Sequence, residues 1–87
     1  MFALIYGRTN CPNCARSKQI AEQLVEQRDD FTFRYVDIHV ENISKEDLSQ
    51  AVGKLVDSVP QIFLDKKYIG TCAEFEAYGK TNLGLDQ

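Results

Sequence analysis

Cys11-Pro12-Asn13-Cys14 is the stretch on which the reading of this chain turns. Before it lies an uncharged apolar run, Phe2-Ala3-Leu4-Ile5-Tyr6, closed by Gly7 and the turn-forming Arg8-Thr9-Asn10. The run is too short for a buried helix and rich in branched and aromatic residues, which fits a buried strand. Proline is favoured at the first helical position. Beyond Pro12, Ser17, Ile20, Ala21, Leu24 and Val25 recur at three- and four-residue steps among polar residues. That periodicity predicts an amphipathic helix ended by Arg28-Asp29-Asp30. Two thiols therefore stand at a strand-to-helix junction, with Cys11 where the helix cap should be.

The position matters because a thiol reacts as its thiolate, and free cysteine, with a pKa of about 8.5, is mostly protonated at neutral pH. At a helix start the unpaired N–H groups and the helix dipole favour a negative sulfur. Pro12 removes one N–H that would be orphaned, and Arg8 adds positive charge from the same rim. Cys14, a turn further in, is expected to be shielded and to keep its proton. The pair then divides its labour: Cys11 attacks an external disulfide, and Cys14 displaces the product and closes an internal bond.

Downstream, the alternation of Phe31, Phe33 and Tyr35 with polar residues predicts a strand from Phe31 to Ile38. Ser44, with Asp47 three residues on, opens a short helix that buries Leu48, Ala51 and Val52 and stops at Gly53. Val59 to Leu64 reads as a third strand with Pro60 at its mouth, and Asp65-Lys66-Lys67 as a turn into a fourth, Lys67 to Gly70. A last helix, from about Ala73 to Thr81, packs Phe75 and Tyr78 inward and is expected to fray from Leu83 to Gln87. The order is β-α-β-α-β-β-α. Strands joined by a helical crossover are parallel neighbours, and strands joined by a tight turn form an antiparallel hairpin. We therefore expect an α/β fold, a four-stranded mixed sheet with helices on both faces. At 87 residues the chain, 1–87, is read as a single domain.

In such a fold the Val59-Pro60 loop faces the start of the first helix. A cis Val59–Pro60 bond, found at about 5–6% of X–Pro bonds in general, would leave the Val59 N–H and C=O free to pair with an extended peptide.

Composition narrows the function classes. A net charge of −3 and a pI near 5.0 argue against nucleic acid as a partner. No apolar run reaches the roughly 18–20 residues that span a bilayer, so no membrane association is expected. The first residues lack the features of a signal peptide, which points to the cytoplasm. Three cysteines, an odd number with one close pair, favour catalytic or metal-binding thiols over a disulfide scaffold. A zinc site from Cys11, Cys14, Cys72 and His39 is the rival arrangement, although His39 also reads as a surface imidazole. Cys72 reads either as a small apolar filler or as an extra redox thiol.

Taken together, Gly7 to Cys14, Tyr35-Val36-Asp37-Ile38, Ser44-Lys45-Glu46-Asp47-Leu48, Val59-Pro60-Gln61-Ile62-Phe63 and Tyr68-Ile69-Gly70 resemble the bacterial dithiol glutaredoxins over nearly the whole chain. The resemblance implies a thioredoxin-like fold and reduction of protein disulfides and protein–glutathione mixed disulfides. It implies glutathione as co-substrate, no tightly bound cofactor, and a monomer. Ribonucleotide reductase is among the protein partners it suggests. By position, Cys11 is the nucleophile and Cys14 the resolving thiol. The glutathione groove would comprise Arg8, Asn13, Ser58, Val59, Pro60, Ala73 and Glu74. Asn13 stands where the family usually has Tyr, and Leu55 where proline is common. Thr71, Ala73 and Glu74 replace a second glycine, a hydroxyl residue and an aspartate. Relatives that share an iron–sulfur cluster between two chains, and thioredoxins recycled by a flavoprotein, are the alternative readings.

Overall fold

The computed structural model describes residues 1–85. Seven elements follow in the predicted order: β1 (Phe2–Gly7), α1 (Pro12–Gln27), β2 (Thr32–Asp37), α2 (Lys45–Val52), β3 (Gln61–Leu64), β4 (Lys67–Gly70) and α3 (Cys72–Asn82). The sheet order is β2-β1-β3-β4. Strand β1 runs parallel to β2 and antiparallel to β3, and β4 returns antiparallel to β3. This is the mixed sheet expected.

Register explains why distant residues meet at one end of the sheet. Tyr6 pairs with Gln61, so the segment leaving β1 lies beside the segment arriving at β3. Ile62 pairs with Gly70, which brings the start of α3 to that same end. The loop before Cys11, the Val59-Pro60 loop and the first turn of α3 therefore share one edge, the edge where the parallel strands β1 and β2 finish.

The core lies on one face of the sheet. Ala3, Ile5, Ile62 and Leu64 point from the strands toward Ile20, Ala21 and Leu24 of α1 and Phe75 of α3, with Phe31 closing one end. Fully burying one such side chain contributes about 1.5–3 kcal/mol. On the opposite face, Leu4, Tyr6 and Phe63 gather around Ala51 of α2. Tyr6 and Phe63 meet edge to face at 6.0 Å. Helix α2 carries the expected capping box: the Asp47 amide donates to Ser44 Oγ at 3.0 Å and the Ser44 amide to Asp47 Oδ2 at 3.1 Å. Gly53 closes it with φ of 90°, where glycine costs least.

Five sequence expectations need correction. Val25 is 41% exposed, because the sheet-facing stripe of α1 passes through Leu24 and leaves its neighbour about 100° round the helix. Ala51 is exposed and Val52 half-buried, since the eight-residue α2 buries only Leu48. The second strand excludes Phe31 and Ile38. The third begins at Gln61; proline has no N–H for a ladder, and Tyr6–Gln61 is the last β1 pair. Finally, the chain after α3 does not fray at once. Leu83 and Leu85 are buried in the core, and the Leu85 amide donates to the Gly79 carbonyl at 3.0 Å. The rest of the stretch expected to fray, Asp86 and Gln87, lies outside the described residues.

Candidate redox site

Cys11 is the N-cap of α1. Its backbone is extended (φ −125°, ψ 107°), Pro12 follows at the first helical position, and no acidic residue occupies the first turn. The Cys14 amide donates to Cys11 Sγ at 3.2 Å. A sulfur thus takes the place that a serine or aspartate oxygen takes at most helix starts. The helix start points this N–H and the positive end of its dipole at the sulfur, and no carboxylate in the first turn competes for them. Cys11 and Cys14 are joined as a disulfide, with Cα atoms 5.2 Å apart. Cys11 is half-buried, whereas Cys14 has no exposed surface. Ser17, buried beneath the pair, donates its hydroxyl to the Asn13 carbonyl at 2.8 Å and so leaves no polar group unpaired.

Opposite this cap, the Val59 carbonyl oxygen lies 3.9 Å from Cys11 Sγ. The Val59–Pro60 peptide is cis, and Pro60 is buried. Behind the loop stands Gln61, 2% exposed. Its amide nitrogen donates to the Ser58 carbonyl at 2.9 Å, and its oxygen accepts from the Tyr68 hydroxyl at 2.5 Å. A polar chain through the sheet thereby ties β4 to the loop facing the cysteine. Sequence reasoning missed Gln61 and Tyr68 as parts of the site. The available signal was a glutamine in an otherwise apolar strand, which must find partners when buried.

Arg8 is exposed and lines two hollows. One, of about 270 Å³, holds Ser58 and Val59 together with His39, Lys45 and Leu48. The other, of about 750 Å³, holds Cys11, Pro12, Lys18 and Tyr35. Tyr35 was expected only as a strand residue. Its hydroxyl donates to the Arg8 carbonyl at 3.1 Å, and burial, then Asp37, pushes its phenol up, so it stays a donor. Gly7 lies under this ring; a Cβ there would strike the Tyr35 hydroxyl and ring carbons. Asn10 turns the chain into the cap with φ of 57°, a conformation asparagine tolerates well.

The remaining expected residues are less uniformly placed. Asn13 is exposed at the start of α1, on the helix turn that separates the two cysteines. Ala73 and Glu74 are exposed on the first turn of α3, at the same sheet edge but in neither hollow. Glu74 Oε1 accepts from both the amide and the hydroxyl of Thr71, which holds its carboxyl below the usual range. Cys72 is 7% exposed and belongs to the core cluster, the packing that an apolar filler would show. Among the described residues no three His, Cys, Asp or Glu side chains are grouped to hold a metal ion; His39 and the three cysteines do not form the four-ligand set raised above.

A sheet of this order, with a cysteine pair at the cap of its first helix, defines a thioredoxin-fold thiol–disulfide oxidoreductase. The family model for glutaredoxin matches residues 3–69. A glutaredoxin of Vibrio cholerae is 58% identical over 98% of this chain and 98% of its own length. Glutaredoxin 1 of Salmonella typhimurium is 56% identical over the same shares. The structure of reduced Escherichia coli glutaredoxin superposes with a TM-score of 0.88 at 51% identity, covering 97% of this chain and 99% of that one. The chain belongs to the glutaredoxin family, and it is an enzyme that exchanges thiols and disulfides.

Proposed function

We propose that this glutaredoxin uses glutathione to reduce protein disulfides and protein–glutathione mixed disulfides, and that Cys11 and Cys14 carry the reaction. The carrying observation is the cap itself: Cys11 Sγ accepts the Cys14 amide at 3.2 Å, and Cys11 is only half-buried, while Cys14 is wholly buried behind it. Cys11 is then the sulfur that outside molecules meet.

The reaction balances in two halves. The Cys11 thiolate attacks one sulfur of a protein disulfide; that S–S bond breaks, and the released thiolate takes a proton from water. Cys14, losing its proton, attacks Cys11 Sγ, frees the second protein thiol and closes the enzyme disulfide. Two glutathione thiols, acting in turn, reopen it and leave as glutathione disulfide. With a protein–glutathione mixed disulfide, Cys11 takes the glutathionyl group and a second glutathione removes it, so Cys14 is dispensable.

Glutathione has two carboxylates, one ammonium and a peptide backbone. We assign Arg8 to a carboxylate, the Val59 backbone to its cysteinyl unit with Ser58 and Pro60 shaping the loop, and Asn13 to the wall beside the sulfur. Ala73 and Glu74 take the γ-glutamyl end, where the exposed Glu74 carboxylate meets the ammonium. Burial of Cys72 supports the filler reading, although an oxidised state of that thiol remains the rival proposal. We take residues 1–87 as one domain, a reading supported by the core cluster that the described residues form. No helix among the described residues is long and apolar enough to cross a membrane. We take the protein to act as a cytoplasmic monomer on disulfide proteins, with ribonucleotide reductase as one such partner.

The test is an NADPH-coupled assay with glutathione and glutathione reductase on the mixed disulfide of 2-mercaptoethanol and glutathione. Turnover should vanish in Cys11→Ser and persist in part in Cys14→Ser, which should fail on a protein disulfide. Turnover only with thioredoxin reductase would reject glutathione as the donor.

A further inference from the structure

The proposed glutathione groove uses the Val59 side of Cys11 and leaves the larger hollow on the other side without a role. Tyr35 forms one wall of that hollow, with its hydroxyl tied to the Arg8 carbonyl. Lys18 reaches over the ring, with Nζ 5.7 Å from the centroid. Neither Lys18 nor Arg8 has an ion-pair partner among the described residues. No carboxylate lines the hollow, in a chain whose net charge is −3. Asp37, whose charge the Tyr35 phenol feels, spends Oδ1 on the His39 and Val40 amides at 2.9 and 3.2 Å. Two uncompensated cations beside an aromatic wall, opening onto the reactive sulfur, form a basic island on an acidic protein.

We propose that this hollow docks the protein half of a mixed disulfide, as an extended segment carrying Asp or Glu beside its cysteine. The proposal rests on the reaction given above. Two chains diverge from the disulfide under attack. With the glutathionyl half along Val59, the protein half must leave across another surface, and the Tyr35 hollow is a surface that Cys11 itself lines. The Tyr35 ring takes the backbone or an aliphatic stem, and Lys18, which lines only this hollow, takes the carboxylate, while Arg8 at the boundary stays with glutathione. Charges at such a rim act mainly on encounter rate and choice of partner. The covalent step is unchanged: the Cys11 thiolate takes the glutathionyl sulfur, and the protein thiolate leaves and is protonated by water.

Two glutathionylated peptides of equal length, identical except that Asp or Lys flanks the cysteine, provide the probe. The readout is the ratio of their kcat/KM values in the wild-type enzyme, Lys18→Gln and Lys18→Glu. Any change in Cys11 reactivity scales both peptides alike and cancels. The wild type should prefer the acidic peptide by about three- to tenfold at low ionic strength, and the preference should shrink at high salt. Lys18→Gln should reduce it, and Lys18→Glu should bring it to unity or reverse it. A wild-type ratio of one, or a ratio untouched by Lys18→Glu, overturns the docking site. If both peptides are reduced by dithiothreitol as donor and not by glutathione, the glutathione reading fails, yet the ratio still decides the docking question.

Discussion

The Cys14 amide donates to the Cys11 sulfur across 3.2 Å, so the residue proposed as nucleophile is also the residue that starts the helix. Capping and chemistry can be pulled apart by two substitutions. Serine keeps a cap acceptor and alanine does not; the alanine variant should lose about 1 kcal/mol more stability, within the 0.5–2 kcal/mol range for lost caps. Both should be inactive. Urea unfolding of the reduced proteins checks this, and equal stability of the two variants would show that the sulfur contributes nothing as a cap. In the wild type, iodoacetamide should label Cys11 well below pH 8 and leave Cys14 untouched. Equal labelling rates would remove the division of roles.

Gln61 joins Ser58 to Tyr68 inside the sheet. In Gln61→Leu the Ser58 carbonyl and the Tyr68 hydroxyl lose their partner, at a cost of about 1–3 kcal/mol. Because Ser58 adjoins Val59, kcat/KM should fall as well. A variant with wild-type denaturant midpoint and activity would show that the loop holds itself.

A methyl group at Gly7 would collide with the Tyr35 side chain. Gly7→Ala should therefore cost about 1–3 kcal/mol, as overpacking does. The double variant Gly7→Ala/Tyr35→Leu should recover part of that loss. No recovery would place the strain elsewhere.

Thr71 holds Glu74 below its ordinary value of 4.5, through its hydroxyl first and its amide second. A carboxyl whose folded value is depressed contributes stability that is complete above 4.5 and is lost as pH falls through the lowered value. The stability difference between wild type and Glu74→Gln should be flat above about pH 5 and shrink below 4.5. It should be small, since Glu74 is exposed and solvent screens it. A difference that grows on acidification would reverse the sign and sink the assignment.

Leu85 packs against Gly79 at 3.1 Å from where a Cβ would sit. Leu85→Ala should cost about 2–4 kcal/mol, in the range for buried leucine. A cost below about 0.5 kcal/mol, the surface-substitution level, would mean that this segment does not belong to the core.

What could be read ahead of the structure depended on whether a local rule had a tertiary competitor. Pro12 after Cys11 fixed the helix start, since proline at that position has no rival reading. The Ser44–Asp47 box fixed another for the same reason. Periodicity overstates burial at Val25 and Ala51, because a periodic stripe reports one face of a helix without its width, and width is set by what the sheet covers. Leu83 departs from expectation for a different reason: its burial depends on a return of the chain onto Gly79 that no local pattern announces. Tyr35 and Gln61 were invisible as site residues because their partners, Arg8 and Ser58, are brought to them only by strand register.

Complete burial of Cys14 carries a kinetic consequence. A reagent in solution cannot begin at the inner sulfur, so oxidant and reductant must use the same doorway, one after the other. Steady-state patterns should then be ping-pong, with parallel reciprocal plots. An excess of either thiol or disulfide should crowd the other out, so the throughput of this enzyme should depend on the balance of its two reactants as well as on the supply of each.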